Sequence, residues 1–89
     1  MKEIVDEAIV EKFDIAVRLV KDNMTYIVQQ APIDQEGTYN EHDFDVFGGT
    51  GGFHRSEFDD LDEARNFFNH IQILDNEELT KRYPKMWIQ

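Results

Sequence analysis

Two histidines and two aspartates in the middle of the chain have the residue types that bind divalent metals. His42, Asp43, Asp45 and His54 offer imidazole and carboxylate ligands, which together suit several divalent ions. Numbered as a calcium loop from Asp43, the segment has acids at positions 1 and 3. It has a phenylalanine at position 5 and a histidine at position 12, where oxygen ligands are required. The spacing therefore predicts no specific metal site.

A serine and a histidine that lie close together could in principle support nucleophilic catalysis. Ser56 is the only serine, His54 is two residues away, and the chain has no cysteine. A serine nucleophile also needs an acid that orients the histidine and an oxyanion hole, and no pattern in the sequence indicates either one. We expect no catalytic residue and no cofactor, so the chain is predicted not to be an enzyme.

Four glycines surround Thr50 in the segment 48–52, a composition typical of phosphate-binding loops. Such a loop must lead directly into a helix N-terminus, whose N–H groups meet the anion. Here a strand is expected to follow, and the neighbouring residues are acidic. The segment is therefore predicted to be the tip of a hairpin, with Thr50 available to adapt to a partner.

The strongest signal is the distribution of charge. The chain has nineteen acidic and nine basic residues, a formal charge of −10. The window 34–63 contains ten of the acids and one base, Arg55, so that it alone carries −9. A surface of this sign disfavours nucleic acid and anionic membranes and favours basic protein surfaces.

Part of this acidity has a purely structural explanation. Asp59, Asp60, Asp62 and Glu63 precede or begin a predicted helix, where carboxylates interact favourably with the helix dipole. Five other acids of the window lie in its first part, residues 34–45: Asp34, Glu36, Glu41, Asp43 and Asp45. The fold does not explain them, because like charges that lie close together on a loop and a strand repel one another and cost stability. The predicted partner-binding residues are Asp34, Glu36, Glu41, Asp43, Asp45 and Thr50.

These residues must be positioned by a small sheet. Apolar residues at helical spacing predict a short helix over residues 2–11, and an extension of the next strand back into Ala8–Val10 is the alternative. Alternating apolar residues predict a hairpin over Phe13–Gln30 with its turn at Asp22-Asn23, which places Leu19 opposite Tyr26.

A second hairpin is predicted from His42–Phe47 and Phe53–Phe58. In this hairpin Phe44 and Val46 point inward, while Asp43 and Asp45 point to solvent. A helix should begin at Asp59 or Asp60 with its apolar stripe on the sheet. A second helix should begin at Asp75 and end near Pro84.

The predicted fold is a single α+β domain over residues 1–89. It has a four-stranded, mainly antiparallel sheet made of two hairpins, with helices on one face, in the order α-β-β-β-β-α-α. The opposite face should show Asp14, Arg18, Asp43 and Asp45 to solvent. Met86 and Trp87 are expected to pack in the core.

The predicted function is a non-enzymatic acidic module that binds a basic protein surface. Its sharpest form is a nucleic-acid-mimicking inhibitor of phage or mobile-element type. The alternative is a small cytosolic accessory domain of housekeeping type, as a monomer or as a homodimer, whose acidity serves only solubility. The absence of cysteine, of a signal peptide and of an apolar run long enough to span a bilayer predicts a cytoplasmic protein with no membrane partner.

Overall fold

A computed structural model describes residues 2–44 and 56–84. Four antiparallel strands form one sheet in the order β1-β2-β3-β4, and two helices pack on one face, so the predicted α+β fold is confirmed. The elements are β1 (Lys2–Val10), a 3-10 turn (Glu11–Phe13), β2 (Ile15–Asp22), β3 (Thr25–Pro32), β4 (Ser56–Phe58), α1 (Leu61–Ile73) and α2 (Asn76–Arg82).

The N-terminal segment is a strand, so the predicted helix over residues 2–11 is wrong. β1 pairs antiparallel with β2, and the register shifts at a bulge between Ile4 and Asp6. A bulge interrupts the two-residue alternation of side chains. Because of it, Val5 and Ala8 both pack toward the helices, which imitates helical spacing. The strand ends in the 3-10 turn, and the chain reverses at Asp14, whose φ is 54°.

The hairpin of β2 and β3 is confirmed, with a register that differs from the predicted one. Its turn lies at Asn23 and Met24, and Asn23 has a φ of 58°. Leu19 pairs with Val28 rather than with Tyr26, a displacement of two residues. Since side chains alternate with a period of two, this displacement leaves each residue on its predicted face.

The hydrophobic core lies between the sheet and the helices. The predicted stripe of α1 is confirmed, and Phe67 lies at its centre, fully buried. The Phe67 ring lies 5.8 Å from that of Phe58 and 4.7 Å from that of Tyr83. The buried members of this core are Val10, Val17, Leu19, Val28, Phe58, Ala64, Phe67, Phe68, Ile71 and Leu79.

Both helices begin where the sequence predicts. Asp60 caps α1 by accepting a hydrogen bond from the Asp62 N–H at 3.2 Å. Asp75 caps α2 in the same way, from the Glu78 N–H at 2.9 Å. Each cap satisfies a backbone N–H that has no partner inside its helix.

The second predicted hairpin is confirmed in part. β4 forms at Ser56–Phe58 and pairs antiparallel with β3. The other predicted strand, His42–Phe47, is wrong over the three residues that the structure describes. Residues 42–44 form a turn that becomes helical at Asp43. Val46, the glycine-rich tip, Met86 and Trp87 lie outside the described residues. No helix within residues 2–44 and 56–84 is long and apolar enough to cross a membrane.

Candidate functional site

The segment 33–44 lies on the outer face of the sheet, which we define as the face opposite the helices. Phe44 is buried there against Ala16 and Ala31, whose small side chains leave room for the ring. Ile33 and Tyr39 pack against the same residues. Phe44 was predicted to point toward the helices. That prediction is wrong, because the chain crosses the outer face instead of adding a strand at this point.

Arg18 organises this face, and the prediction that it faces solvent is wrong. Only 7% of the residue is exposed. Its Nε donates to Glu7 Oε2 at 2.8 Å, and its Nη1 and Nη2 donate to the two carboxylate oxygens of Glu41 at 2.7 and 3.0 Å. Its guanidinium carbon lies 4.1 Å from the centroid of the Phe44 ring. We call these four residues the Arg18 cluster.

Arg18 makes three contacts in the cluster: with Glu7, with Glu41 and with the Phe44 ring. The Glu41 contact is bidentate, the geometry in which arginine binds carboxylates best. Hydrogen bonds to Glu41 hold the pKa of Arg18 well above its ordinary value. The same hydrogen bonds hold the pKa of Glu41 below its ordinary value. One cation faces two carboxylates, so the cluster keeps a formal charge of −1.

Tyr39 adds a further contact between the segment 33–44 and the strand β1. Its hydroxyl donates to Glu7 Oε1 at 3.2 Å, and its ring meets that of Phe44 edge to face at a centroid distance of 5.2 Å. Glu7 therefore uses one oxygen for Arg18 and the other for Tyr39. Its side chain is still 43% exposed.

Asp34 organises the loop that begins the segment. Its Oδ1 accepts from the N–H groups of Glu36 and Thr38, each at 2.9 Å, and its Oδ2 accepts from Thr38 Oγ1 at 2.6 Å. These hydrogen bonds, with that from the Thr38 hydroxyl first, lower the pKa of Asp34. Gly37 has a φ of 81°, a conformation that favours glycine, and it completes the turn.

Three of the six predicted partner-binding residues line one open depression. Asp34, Glu41 and Asp43 surround a volume of about 640 Å³, which we call the acidic depression. Its other described lining residues are Pro32, Ile33, Thr38, Tyr39 and Asn40, so no lysine or arginine is among them. Glu36 is exposed on the adjacent loop, while Asp45 and Thr50 lie outside the described residues.

A second, smaller cavity lies beside the Arg18 cluster and was not predicted. Glu7, Ala8, Ile9, Ala16, Tyr39 and Phe44 line about 330 Å³, which we call the apolar pocket. Its lining comes from the consecutive strands β1 and β2 and from the crossing segment, which is distant from them in sequence. Ala16, a small residue among bulky ones in β2, is the signal in the sequence that there is room for a pocket here.

The residues considered for metal binding and catalysis are arranged as follows. Within the described part of the chain, no three His, Asp or Glu side chains are placed to share a metal ion. Of the four candidate ligands, Asp45 and His54 lie outside it. Ser56 is buried on β4, so its hydroxyl does not face solvent as a surface nucleophile would.

Comparison with known proteins gives no relative from which a function could be transferred. No protein-family model, curated protein or solved structure matches the chain. The function must therefore be inferred from the chemistry of the surface, and the outer face carries the most distinctive chemistry in the described part of the molecule.

Proposed function

We propose that the protein is a non-enzymatic cytoplasmic module that binds a basic surface of a protein partner through its acidic depression. One observation carries this proposal. Asp34, Glu41 and Asp43 line a common depression, and none of its described lining residues is a lysine or arginine. A concave surface of a single sign attracts and orients a partner of the opposite sign.

The way in which the carboxylates are held supports a binding role over a role in solubility alone. Thr38 fixes Asp34 and Arg18 fixes Glu41. A solubilising surface needs charge but no defined geometry. Carboxylates that are already ordered lose little conformational entropy when a partner binds. The Glu41 side chain is still 71% exposed, so its oxygens can accept further hydrogen bonds.

The partner class that fits best is a protein whose own ligand is a nucleic acid. Such proteins carry rows of lysine and arginine that neutralise phosphates. Fixed carboxylates can occupy the same groove, and the small module would then inhibit its partner by competition. Glu36 and Asp43 would add to the contacts made by Asp34 and Glu41. Asp45 and Thr50, the other two predicted partner-binding residues, lie outside the described residues.

Affinity purification with paired variants tests this proposal. We expect Glu36→Lys combined with Asp43→Lys to abolish capture of a partner from native lysate. Glu63→Lys combined with Glu77→Lys changes the net charge equally on the exposed first turns of α1 and α2, and it should retain capture.

Salt and nucleic acid provide two further readouts of the same experiment. Captured protein should elute between about 0.1 M and 1 M salt, where the screening length falls from about 10 Å to about 3 Å. It should also be displaced by double-stranded DNA. Equal loss of capture in both double variants would show that only net charge matters, and the site would then be wrong.

A homodimer formed through the sheet edge is the second candidate function. Ile4 and Ile9 are exposed on the edge strand β1, which favours it. The acids Glu3, Asp6 and Glu7 on the same strand oppose it, because self-pairing would bring like charges together. Sedimentation separates the two candidates, since an apolar dimer should persist unchanged at low and at high salt.

A further inference from the structure

We propose that the apolar pocket is the subsite that takes an arginine side chain of the partner. The methylene stem enters the pocket, and the guanidinium lies at the mouth beside Glu7. This inference rests on the proposed function and specifies which group of the partner is anchored. It depends on the size, the lining and the charge of the pocket.

The size of the pocket fits one long side chain. Its volume of about 330 Å³ lies at the lower end of the range in which proteins bind small ligands, ~300–1,000 Å³. Ala16 contributes no bulk, while Ile9, Tyr39 and Phe44 supply apolar and aromatic surface. An unbranched stem of methylene groups is the partner group that such a lining accommodates.

The charge beside the pocket favours a cation over an apolar side chain. Arg18, Glu7 and Glu41 sum to a formal charge of −1, and Glu7, whose side chain is 43% exposed, belongs both to that cluster and to the pocket lining. A leucine or methionine would fill the space but would remove water from Glu7 without replacing its hydrogen bonds. A carboxylate or a phosphate would be repelled.

Arg18 demonstrates in the same molecule how a guanidinium is bound by this set of groups. It donates to Glu7 and Glu41 and lies 4.1 Å from the centroid of the Phe44 ring. A second guanidinium at the mouth of the pocket would meet the same kinds of group, a carboxylate and an aromatic ring. Arginine suits this combination better than lysine, because its planar fork both donates in pairs and stacks on rings.

Methyl NMR with three capped tripeptides tests the subsite. The probes are Gly-Xaa-Gly peptides in which Xaa is arginine, citrulline or norleucine, titrated into the intact protein. We expect the arginine peptide to shift the methyl signals of Ile9 and Ala16, which lie on the outer face, and to leave that of Ala8 on the helix side unchanged. We expect the neutral citrulline and the apolar norleucine peptides to bind at least ~10-fold more weakly, a factor that one good charged contact supplies. Equal binding of the three peptides, or arginine shifts elsewhere only, would overturn the proposal.

Substitutions at Ile9 confirm the location without disturbing the core, because Ile9 is 47% exposed. Ile9→Lys places a cation at the mouth and should weaken the arginine peptide ~10-fold, whereas the neutral Ile9→Gln should weaken it less than ~3-fold. Equal weakening would contradict a cationic subsite. The methyl spectrum of each free variant shows whether it is folded.

Failure of this inference is distinguishable from failure of the proposed function. Glu36→Lys with Asp43→Lys should lose the protein partner but still bind the arginine peptide, since neither residue lines the apolar pocket. A protein that captures a basic partner but shows no pocket shifts would retain the function and refute the subsite. A protein that shows the pocket shifts but whose capture is indifferent to the acidic variants would refute the function.

Discussion

The layers that cover the two faces of the sheet are held in place by different kinds of interaction. On the inner face, α1 and α2 cover a core of aliphatic and aromatic side chains, with Phe67 buried at its centre. On the outer face, the segment 33–44 is held by the Arg18 cluster and by the packing of Phe44 on two alanines. Burial of apolar surface is largely indifferent to salt and pH, whereas ion pairs respond to both. The protein therefore combines a stable layer with a layer whose attachment depends on solution conditions.

The largest expected effect lies on the inner face. Phe67→Ala should destabilise the protein by about 3–5 kcal/mol, because it removes a fully buried ring and leaves a cavity against Phe58 and Tyr83. That loss is comparable with the whole stability of a domain this small. Urea denaturation measures it, with Ile73→Ala on the exposed side of α1 as the control. A loss below about 1 kcal/mol would mean that the helices are not the stable layer.

The next effect concerns the outer face. Arg18→Met should cost about 1–3 kcal/mol, since it removes three charged hydrogen bonds and the contact with Phe44 but keeps an apolar stem. The control is Arg65→Met, which breaks a more exposed pair with Asp6 at 3.3 Å and should cost less than about 1 kcal/mol. Denaturation of each variant at low and high salt sharpens the comparison. Salt should shrink the Arg65 difference by the larger fraction, because its pair is more exposed and is therefore screened more strongly, while the Arg18 difference should shrink only in part. An Arg18 difference that does not change with salt would contradict the model.

These two faces also mark the limit of what the sequence could predict. The inner layer follows from local patterns: alternation in β2 and β3, the apolar stripe of α1, and the caps Asp60 and Asp75. Each pattern lies within a few residues, so it can be read without knowing the fold. The strand β1 was predicted as a helix because its bulge disrupts the alternation of side chains that identifies a strand.

The outer layer could not be predicted from the sequence for a different reason. Arg18 alternates with apolar residues in β2, as a solvent-facing charge does. It is buried because Glu41, twenty-three positions further along the chain, crosses the face and pairs with it. Charge alone marks the acids from Asp34 to Asp45 as unusual. That two of them organise local structure depends on contacts with Thr38 and Arg18 that composition does not reveal.

A smaller effect tests whether polar contacts matter on the inner face as well. His70 Nδ1 and the Tyr83 hydroxyl lie 2.5 Å apart, a contact that joins α1 to the residue after α2. Tyr83→Phe keeps the ring on Phe67 and removes the hydrogen bond, so it should cost about 0.5–1.5 kcal/mol. Denaturation measures the loss, and hydrogen exchange should show it concentrated in α2. A loss as large as that of Arg18→Met would remove the distinction between the two faces.

The smallest expected effect is the response of the outer face to acid. The pKa of Glu41 in the folded protein lies below its ordinary value of 4.5, chiefly because Arg18 donates hydrogen bonds to it. The unfolded chain therefore binds more protons than the folded one as the pH falls through this range. The contribution of Glu41 to stability is complete above pH 4.5 and is lost as the pH falls through the folded pKa.

An NMR titration from neutral pH downward follows this loss residue by residue. Signals of Tyr39 and Ala16 on the outer face should change before those of Ile71 in the inner core, because the outer segment is held by the Glu41 carboxylate whereas Ile71 is held by apolar packing. Glu41→Gln should remove most of the early change and leave the later one in place. If both faces respond together in both proteins, the outer segment is not a separately held layer. Acid would then unfold the domain as a single unit.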